Sequence, residues 1–150
     1  MKKVSFVIPC YRSANTIGVV VDEIRDTMPT LPEYDYEIIL VNDCSPDNTF
    51  DVISALARSD GRIIAVDLAK NFGQHAALMS GISHSTGDFV VCLDDDGQTP
   101  ANEVGKLLAR LEQDDCDVAM ASYEHKQHSA FRNFGTKLNN RMTEIMLGKP

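Results

Sequence analysis

The sequence predicts an α/β fold, in which a mostly parallel sheet is covered by helices on both faces. Short apolar runs of strand length alternate with segments whose apolar residues recur at helical spacing. Polar turn residues separate the two kinds of segment. The chain has 150 residues, 43% of them hydrophobic, which suffices for one globular core and is too few for two comfortable domains.

The elements follow one another as strand, turn and helix. The first strand is ended by Pro9, and the helix after it has five apolar residues at helical spacing between Ile17 and Met28. The fourth helix opens at Thr99-Pro100, where threonine caps and proline takes the first helical position. Strands are predicted at residues 4–9, 36–41, 63–68, 88–93 and 118–121, and helices at residues 13–28, 49–58, 72–85 and from residue 99 onwards.

The charge distribution argues against nucleic-acid binding and divides the chain in two. Its formal net charge is −8, so the overall field repels a phosphate backbone. Residues 1–124 carry 9 basic and 21 acidic residues, whereas residues 125–150 carry 5 basic residues and 1 acidic residue. We therefore separate an α/β core, residues 1–124, from a basic segment, residues 125–150, that faces an anionic partner or surface.

The cysteines and the apolar runs predict a cytoplasmic protein. Cys10, Cys44, Cys92 and Cys116 match neither zinc nor redox spacing, and we expect small buried thiols. The N-terminal apolar run is too short for a signal peptide, and no stretch approaches the roughly 18 apolar residues of a membrane span. A reducing cytoplasmic setting without an integral anchor in this chain follows.

An acidic triplet comes directly after the fourth strand. Asp94, Asp95 and Asp96 place three carboxylates where a buried strand surfaces, and a divalent cation would relieve their repulsion. In an extended segment Asp94 and Asp96 point to one side, where Mg²⁺ or Mn²⁺ can be completed by phosphates and water. Asp95 then projects elsewhere, toward a sugar or ribose hydroxyl. The alternative is a solvated turn before a helix; an EF-hand loop is rejected because Cys92 takes its first ligand position.

Polar residues also follow the second strand. Asp43 is a candidate acceptor for the N–H groups of a nucleobase. The alternative is that Asp43, Ser45, Asp47 and Asn48 form an Asx-type turn and cap the second helix. Ligands of such sheets bind beyond the carboxyl ends of the strands, where these loops gather. The chain has no glycine-rich phosphate loop, so a phosphate ligand must be held mainly by metal.

Four strand-end segments carry recognisable motifs: Val7–Tyr11, Val41–Thr49, Asn71–Ala77 and Leu93–Pro100. They resemble the successive motifs of family 2 glycosyltransferases, in the right order and with family-like spacing. The polyprenyl-phosphate glycosyltransferase branch, which includes dolichol-phosphate mannose synthase, is the nearest match. The resemblance covers essentially the whole chain.

The resemblance implies a Rossmann-like glycosyltransferase A fold, truncated here because the family's catalytic domain is longer. It implies a nucleotide-diphospho-sugar bound across the first four strands, with Asp94 near the ribose or sugar and with Asp96 and Gln98 at the metal and diphosphate. The predicted site comprises Asp94, Asp95 and Asp96 as catalytic residues, of which Asp96 and Asp94 bind Mg²⁺ or Mn²⁺, and Pro9, Tyr11, Asp43, Asn71 and Gln98 as nucleotide-binding residues.

Three residues depart from the family's usual motifs. Arg12 stands where asparagine is common, and Asn42 and Cys44 replace the common aspartate and glycine. These departures leave the choice between a UDP-linked and a GDP-linked donor open.

The basic segment resembles the branch's region near the lipid acceptor. We expect an amphipathic helix that lies on an anionic membrane or steers a lipid phosphate toward the metal; the alternative is an ordinary core-packing helix. The apolar stripe is Phe131, Phe134, Leu138, Met142 and Ile145, and the flanking residues predicted to contact the acceptor phosphate are Arg132, Lys137 and Arg141.

Together these features predict an inverting, metal-dependent glycosyltransferase that uses a polyprenyl phosphate acceptor at the cytoplasmic membrane surface. A phosphate acceptor is already anionic, so no general base is needed, whereas a saccharide hydroxyl requires one. The alternatives are a saccharide-acceptor enzyme of cell-surface polysaccharide synthesis and a non-catalytic nucleotide- or metal-binding module. An unpaired sheet edge could also drive homo-oligomerisation.

Overall fold

A computed structural model of the protein describes residues 1–98, 100–114 and 116–121. Residues Met1–Ala119 form one compact unit. Its strands are β1 (Lys2–Cys10), β2 (Tyr34–Asn42), β3 (Ile63–Asp67) and β4 (Phe89–Cys92). Its helices are α1 (Ile17–Thr27), α2 (Thr49–Ser59), α3 (Gln74–His84) and α4 (Val104–Gln113), with short 3-10 turns at Met28–Thr30 and Ala101–Glu103.

The four strands form one parallel sheet in the order β3-β2-β1-β4. β1 lies inside the sheet, with Cys10 opposite Asn42 of β2 and Val7 opposite Cys92 of β4. Because every strand runs the same way, the loops after all four strands leave from the same edge. The predicted parallel sheet is confirmed.

Helices cover both faces of this sheet, as predicted. Val4, Phe6 and Ile8 of β1 belong to a core that also contains side chains of α1, α2 and α4. Val7 belongs to a second core, which contains Ala77 of α3. Full burial of each such side chain contributes about 1.5–3 kcal/mol, so β1 is held from both sides. Within the part of the chain described, no helix is long and apolar enough to cross a membrane.

Helix α3 lies unusually close to the sheet because Gly81 has no side chain. A Cβ at Gly81 would overlap the Val7 side chain and lie 3.1 Å from Val41 Cγ2. Any larger residue would push the helix outward. Gly81 therefore lets α3 pack directly against Val7 of β1 and Val41 of β2.

The predicted fifth strand at Val118–Ala121 is wrong. This segment is described without strand structure, and Val118 and Met120 are 73% and 87% exposed. Apolar composition does not make a strand on its own, since the backbone also needs a neighbouring strand to pair with. Among the residues described, β4 has only β1 as a partner.

The expectation of four buried thiols is also mostly wrong. Cys10 is buried, but Cys44, Cys92 and Cys116 are exposed, and all four are free. Cys44 lies in the loop after β2, Cys92 ends the edge strand β4, and Cys116 follows α4. Proximity to an apolar run therefore does not bury a residue that leaves the sheet or stands at its edge.

Two residues just beyond β1 and β2 adopt the left-handed backbone region without being glycine. Arg12 has φ 58° and Cys44 has φ 51°. A side chain there costs about 1–2 kcal/mol, and asparagine and glycine tolerate it best. This geometry explains why asparagine and glycine are common at these two positions in the family that the sequence resembles.

Glu37 anchors a buried polar cluster at the opposite, amino-terminal side of the sheet. Its Oε1 accepts hydrogen bonds from Ser5 Oγ at 2.6 Å and Thr86 N at 2.6 Å, and its Oε2 accepts one from Lys3 Nζ. Burial by itself would raise the pKa of Glu37, but the hydrogen bonds from Lys3, Ser5 and Thr86 outweigh it and lower the pKa to about 2. The cluster ties β1 and β2 to the segment before β4.

Replacing Cys44 by glycine should stabilise the protein. Cys44→Gly removes the left-handed strain but adds glycine's backbone entropy, so we expect the free energy of unfolding to rise by about 0.5–1 kcal/mol in urea titrations. Cys92→Gly is the matched control. It should lower stability, because a glycine in a strand loses entropy without relieving strain. Equal effects at both sites would contradict the argument.

The Glu37 cluster should make the protein sensitive to acid. The folded pKa of about 2 lies below the unfolded value of about 4.3, so the unfolded chain binds the proton first. The stability that Glu37 contributes, about 3 kcal/mol, is complete above about pH 5 and is lost as the pH falls toward 2. Urea unfolding of wild type and Glu37→Gln should therefore differ at pH 6 and converge near pH 2. A constant difference across that range would refute this account; Glu33→Gln, at an exposed glutamate, is the control.

Candidate functional site

The loops at the carboxyl edge of the sheet enclose a cavity of about 480 Å³. This volume is in the range of small-molecule binding sites. All four strand-end loops contribute to it, so the structure brings together residues that lie far apart in sequence. The lining residues are Pro9, Cys10, Tyr11, Asp43, Asn71, Gly73, Gln74, Asp94, Asp95 and Asp96.

Most of the predicted site residues therefore lie in one place. Gln98 is the exception: it is exposed, it does not line the cavity, and its backbone N–H donates to Asp96 Oδ1 at 2.9 Å. The predicted acceptor residues Arg132, Lys137 and Arg141 lie outside the described residues, as does Thr99.

The loop after β1 is fixed by three consecutive backbone N–H groups. Tyr11 N donates to Asp95 Oδ2 at 3.1 Å. Arg12 N donates to Ser45 Oγ at 2.7 Å, and Ser13 N donates to Thr49 Oγ1 at 2.9 Å. The three acceptors come from three different segments, so the position of Tyr11 depends on the β2 loop, the start of α2 and the acidic loop together.

Asp43 holds the loop before α3. It is 4% exposed, and its two oxygens accept hydrogen bonds from Phe72 N at 2.8 Å and Gly73 N at 2.9 Å. Gly73 has φ 89°, a conformation that favours glycine. Each oxygen keeps one lone pair, so Asp43 can still accept a ligand N–H from the cavity.

The capping alternative considered for Asp43 applies to Asp47 instead. Asp47 Oδ1 accepts hydrogen bonds from Thr49 N at 3.2 Å and Ser45 Oγ at 2.6 Å, which is the Asx-type turn at the start of α2. Two aspartates four residues apart thus have different tasks, one facing the cavity and the other supporting α2.

The three acidic side chains after β4 have different partners. Asp94 Oδ1 accepts a hydrogen bond from Gln74 Nε2 at 3.3 Å, at the start of α3. Asp95 Oδ2 accepts hydrogen bonds from Tyr11 N and from the Ser13 hydroxyl. Asp96 turns back on its own loop toward Gln98 N. Asp94 and Asp96 are exposed and Asp95 is half-buried.

The carboxylates of this loop fit a metal ion that takes most of its ligands from phosphates and water. Among residues 1–98, 100–114 and 116–121, no three His, Cys, Asp or Glu side chains are arranged to hold a metal ion. Asp94 and Asp96 each keep an oxygen without a hydrogen bond from these residues. Mg²⁺ and Mn²⁺ are commonly held by one or two carboxylates and completed by phosphates and water, which matches this arrangement.

The charge of the cavity wall is uniformly negative. Four of the lining residues described are aspartates, and none is Lys, Arg or His. Burial, and to a lesser degree the Asp95 carboxylate, raise the pKa of the Cys10 thiol, so Cys10 stays protonated and is not a nucleophile. The cavity can attract a cation, but it repels an anion that arrives without one.

Sequence reasoning missed two residues at this site. Gln74 lines the cavity and bonds to Asp94, and Ser13 links the β1 loop to Asp95. Gln74 directly follows the Asn71-Phe72-Gly73 loop. Its position beside a strand-end loop could therefore have identified it as a site residue. Nothing in the sequence distinguishes Ser13, because its role depends on a residue 82 positions away.

The architecture matches solved structures of other proteins. A mannosyltransferase from Pyrobaculum calidifontis, solved with GDP-Man and Mn²⁺, is 24% identical with a TM-score of 0.64, over 73% of this chain and 32% of that one. S. aureus TarS 1-349, solved with UDP, is 20% identical with a TM-score of 0.65, over 84% of this chain and 38% of that one. The shared architecture is the glycosyltransferase A fold.

Two curated proteins are similar in sequence. The undecaprenyl-phosphate 4-deoxy-4-formamido-L-arabinose transferases of Klebsiella pneumoniae and Yersinia enterocolitica are 35% and 36% identical to the chain, each over 99% of it. The chain spans about 45% of the length of these relatives. Glycosyl transferase family 2 matches residues 5–149, nearly the whole sequence, and the chain therefore belongs to this family.

Proposed function

We propose that this chain forms the donor-binding part of a glycosyltransferase that moves a sugar from a UDP- or GDP-linked donor to a polyprenyl phosphate, with inversion and with the help of a divalent metal ion. The observation that carries the proposal is the cavity of four aspartates without a cationic side chain in its described wall. A nucleoside diphosphate is itself anionic. It can bind there only when a cation compensates the charge of both.

The donor side of the proposal assigns tasks by position in the cavity. Asp94 and Asp96 would hold Mg²⁺ or Mn²⁺, and a bound ion would stabilise the diphosphate as negative charge develops on it. Tyr11 and Asp43 would contact the base and ribose, together with Pro9 and Asn71. One similar structure was solved with GDP-Man and Mn²⁺ and another with UDP. Both GDP and UDP are therefore suitable probes for the donor site.

The acceptor side rests on sequence similarity. The relatives that align with 99% of the chain are named as undecaprenyl-phosphate transferases. The phosphate of such an acceptor is anionic at neutral pH, so no side chain of this chain has to remove a proton from it. Arg132, Lys137 and Arg141 supply the positive charge that would guide the phosphate toward the donor. With such an acceptor the enzyme would act at the cytoplasmic membrane surface.

Metal-dependent nucleotide binding is the first consequence. Calorimetric titration of the chain with UDP and GDP should give binding with Mn²⁺ and none with EDTA. Asp96→Asn should weaken it by more than about tenfold, because an amide is a poor ligand for a hard cation. Asp26→Asn makes the same change at an exposed site on α1 and should have no effect. Binding that is equally tight with EDTA would refute the metal assignment.

Transfer to a lipid phosphate is the second consequence. In a protein that contains this chain and its C-terminal continuation, labelled sugar should pass to a short-chain polyprenyl phosphate. Replacing Arg132, Lys137 and Arg141 together by Gln should raise the KM for that acceptor about a hundredfold at low salt and leave donor affinity unchanged, since each charge near an anionic lipid is worth about 1 kcal/mol. Transfer to saccharide hydroxyls alone would favour the other acceptor class.

A further inference from the structure

The half-buried Asp95 stands apart from the two aspartates beside it. One of its oxygens, Oδ2, accepts hydrogen bonds from Tyr11 N and from the Ser13 hydroxyl. Asp94 and Asp96 are exposed, and their hydrogen bonds go to Gln74 and Gln98 instead. Asp95 is therefore the side chain through which the acidic loop holds the loop after β1.

The held loop needs such support because it contains a strained residue. Arg12, between Tyr11 and Ser13, has φ 58°. A non-glycine residue stays in that region only where its surroundings fix it. Ser13 is 2% exposed, so its hydroxyl has no bulk water to replace a lost partner. Removing the Asp95 carboxylate would leave Ser13 Oγ–H and Tyr11 N–H without their acceptor.

We propose that Asp95 is a positioning residue for the donor site: it fixes Tyr11 against the acidic loop by accepting these two hydrogen bonds, and it does not act as a metal ligand. This inference rests on the proposed function, because Tyr11 is assigned to the nucleotide. Both hydrogen bonds reach the same oxygen, so an asparagine with its Oδ1 in that place retains them. The role depends on an oxygen acceptor and not on charge.

Nucleotide affinity separates this role from metal binding. With saturating Mn²⁺, Asp95→Ala should weaken UDP or GDP binding about tenfold, whereas Asp95→Asn should lose no more than about threefold. At nucleotide concentrations well below the Kd of each protein, the Mn²⁺ concentration that gives half-maximal nucleotide binding should be unchanged in both variants and raised in Asp96→Asn. If Asp95→Asn is as weak as Asp95→Ala and also needs more Mn²⁺, Asp95 is a metal ligand and the proposal is overturned.

A double-mutant cycle tests the link to Ser13. Ser13→Ala should weaken nucleotide binding less than Asp95→Ala does, and the double variant should bind no more weakly than Asp95→Ala alone, because both remove one interaction. Ser13→Ala combined with Asp96→Asn should instead give multiplied losses. Multiplied losses in the Ser13–Asp95 pair would contradict the proposal, and the Asp95→Asn and Ser13→Ala arms remain informative if Asp95→Ala fails to fold.

Amide hydrogen exchange, followed by NMR without any ligand, keeps this inference separate from the proposed function. The Tyr11 amide should exchange about tenfold faster in Asp95→Ala than in wild type and at a near-wild-type rate in Asp95→Asn. The Ile39 amide inside β2 is the reference for global opening. Failure of wild type to bind nucleotide would overturn the proposed function alone, whereas unchanged exchange at Tyr11 in Asp95→Ala would overturn the role of Asp95.

Discussion

The candidate site depends on how the loop after β1 is held at its three successive backbone N–H groups. Each group donates to a side-chain oxygen from a different segment, namely Asp95, Ser45 and Thr49. None of these hydrogen bonds belongs to a helix or a strand. The loop thus joins the acidic loop, the β2 loop and the start of α2, and the cavity takes its shape from that junction.

The sheet makes this junction possible because its four strands are parallel. β1 lies between β2 and β4, so the loops after these three strands leave side by side. Helix α3 packs closely on the sheet at Gly81, and Asp43 holds the loop before α3 at the same edge. The polar cluster around Glu37 lies at the other edge, where it secures the sheet without taking part in the cavity.

The concentration of negative charge gives the cavity its chemical character. Four aspartates line it, yet only Asp43 and Asp95 are tied to neighbouring loops by backbone N–H donors from those loops. Asp94 and Asp96 remain exposed, with oxygens available to an ion. Two of the four aspartates therefore support the loops, and the other two have oxygens that can bind a cation.

Sequence patterns predicted β1 to β4 and α1 to α4, whereas the predicted fifth strand is not formed and two helices begin later than predicted. The predicted first helix began at Ser13, but α1 begins at Ile17, and Ser13 instead donates hydrogen bonds to Thr49 and Asp95. Likewise the predicted third helix began at Phe72, but α3 begins at Gln74 because Gly73, with φ 89°, lies outside the helical region. Periodicity reports which residues face a core and does not report the backbone angles and tertiary contacts at a helix start.

The amino-acid sequence by itself determined the alternating strands and helices, the parallel sheet and the gathering of polar residues after each strand, because apolar periodicity and turn chemistry are local properties. Only the tertiary structure decided which aspartates hold the neighbouring loops and which keep free oxygens. The partners of Asp43 and Asp95 lie about 30 and 80 residues away, and a hydrogen bond over that separation exists only once the sheet has brought the loops together.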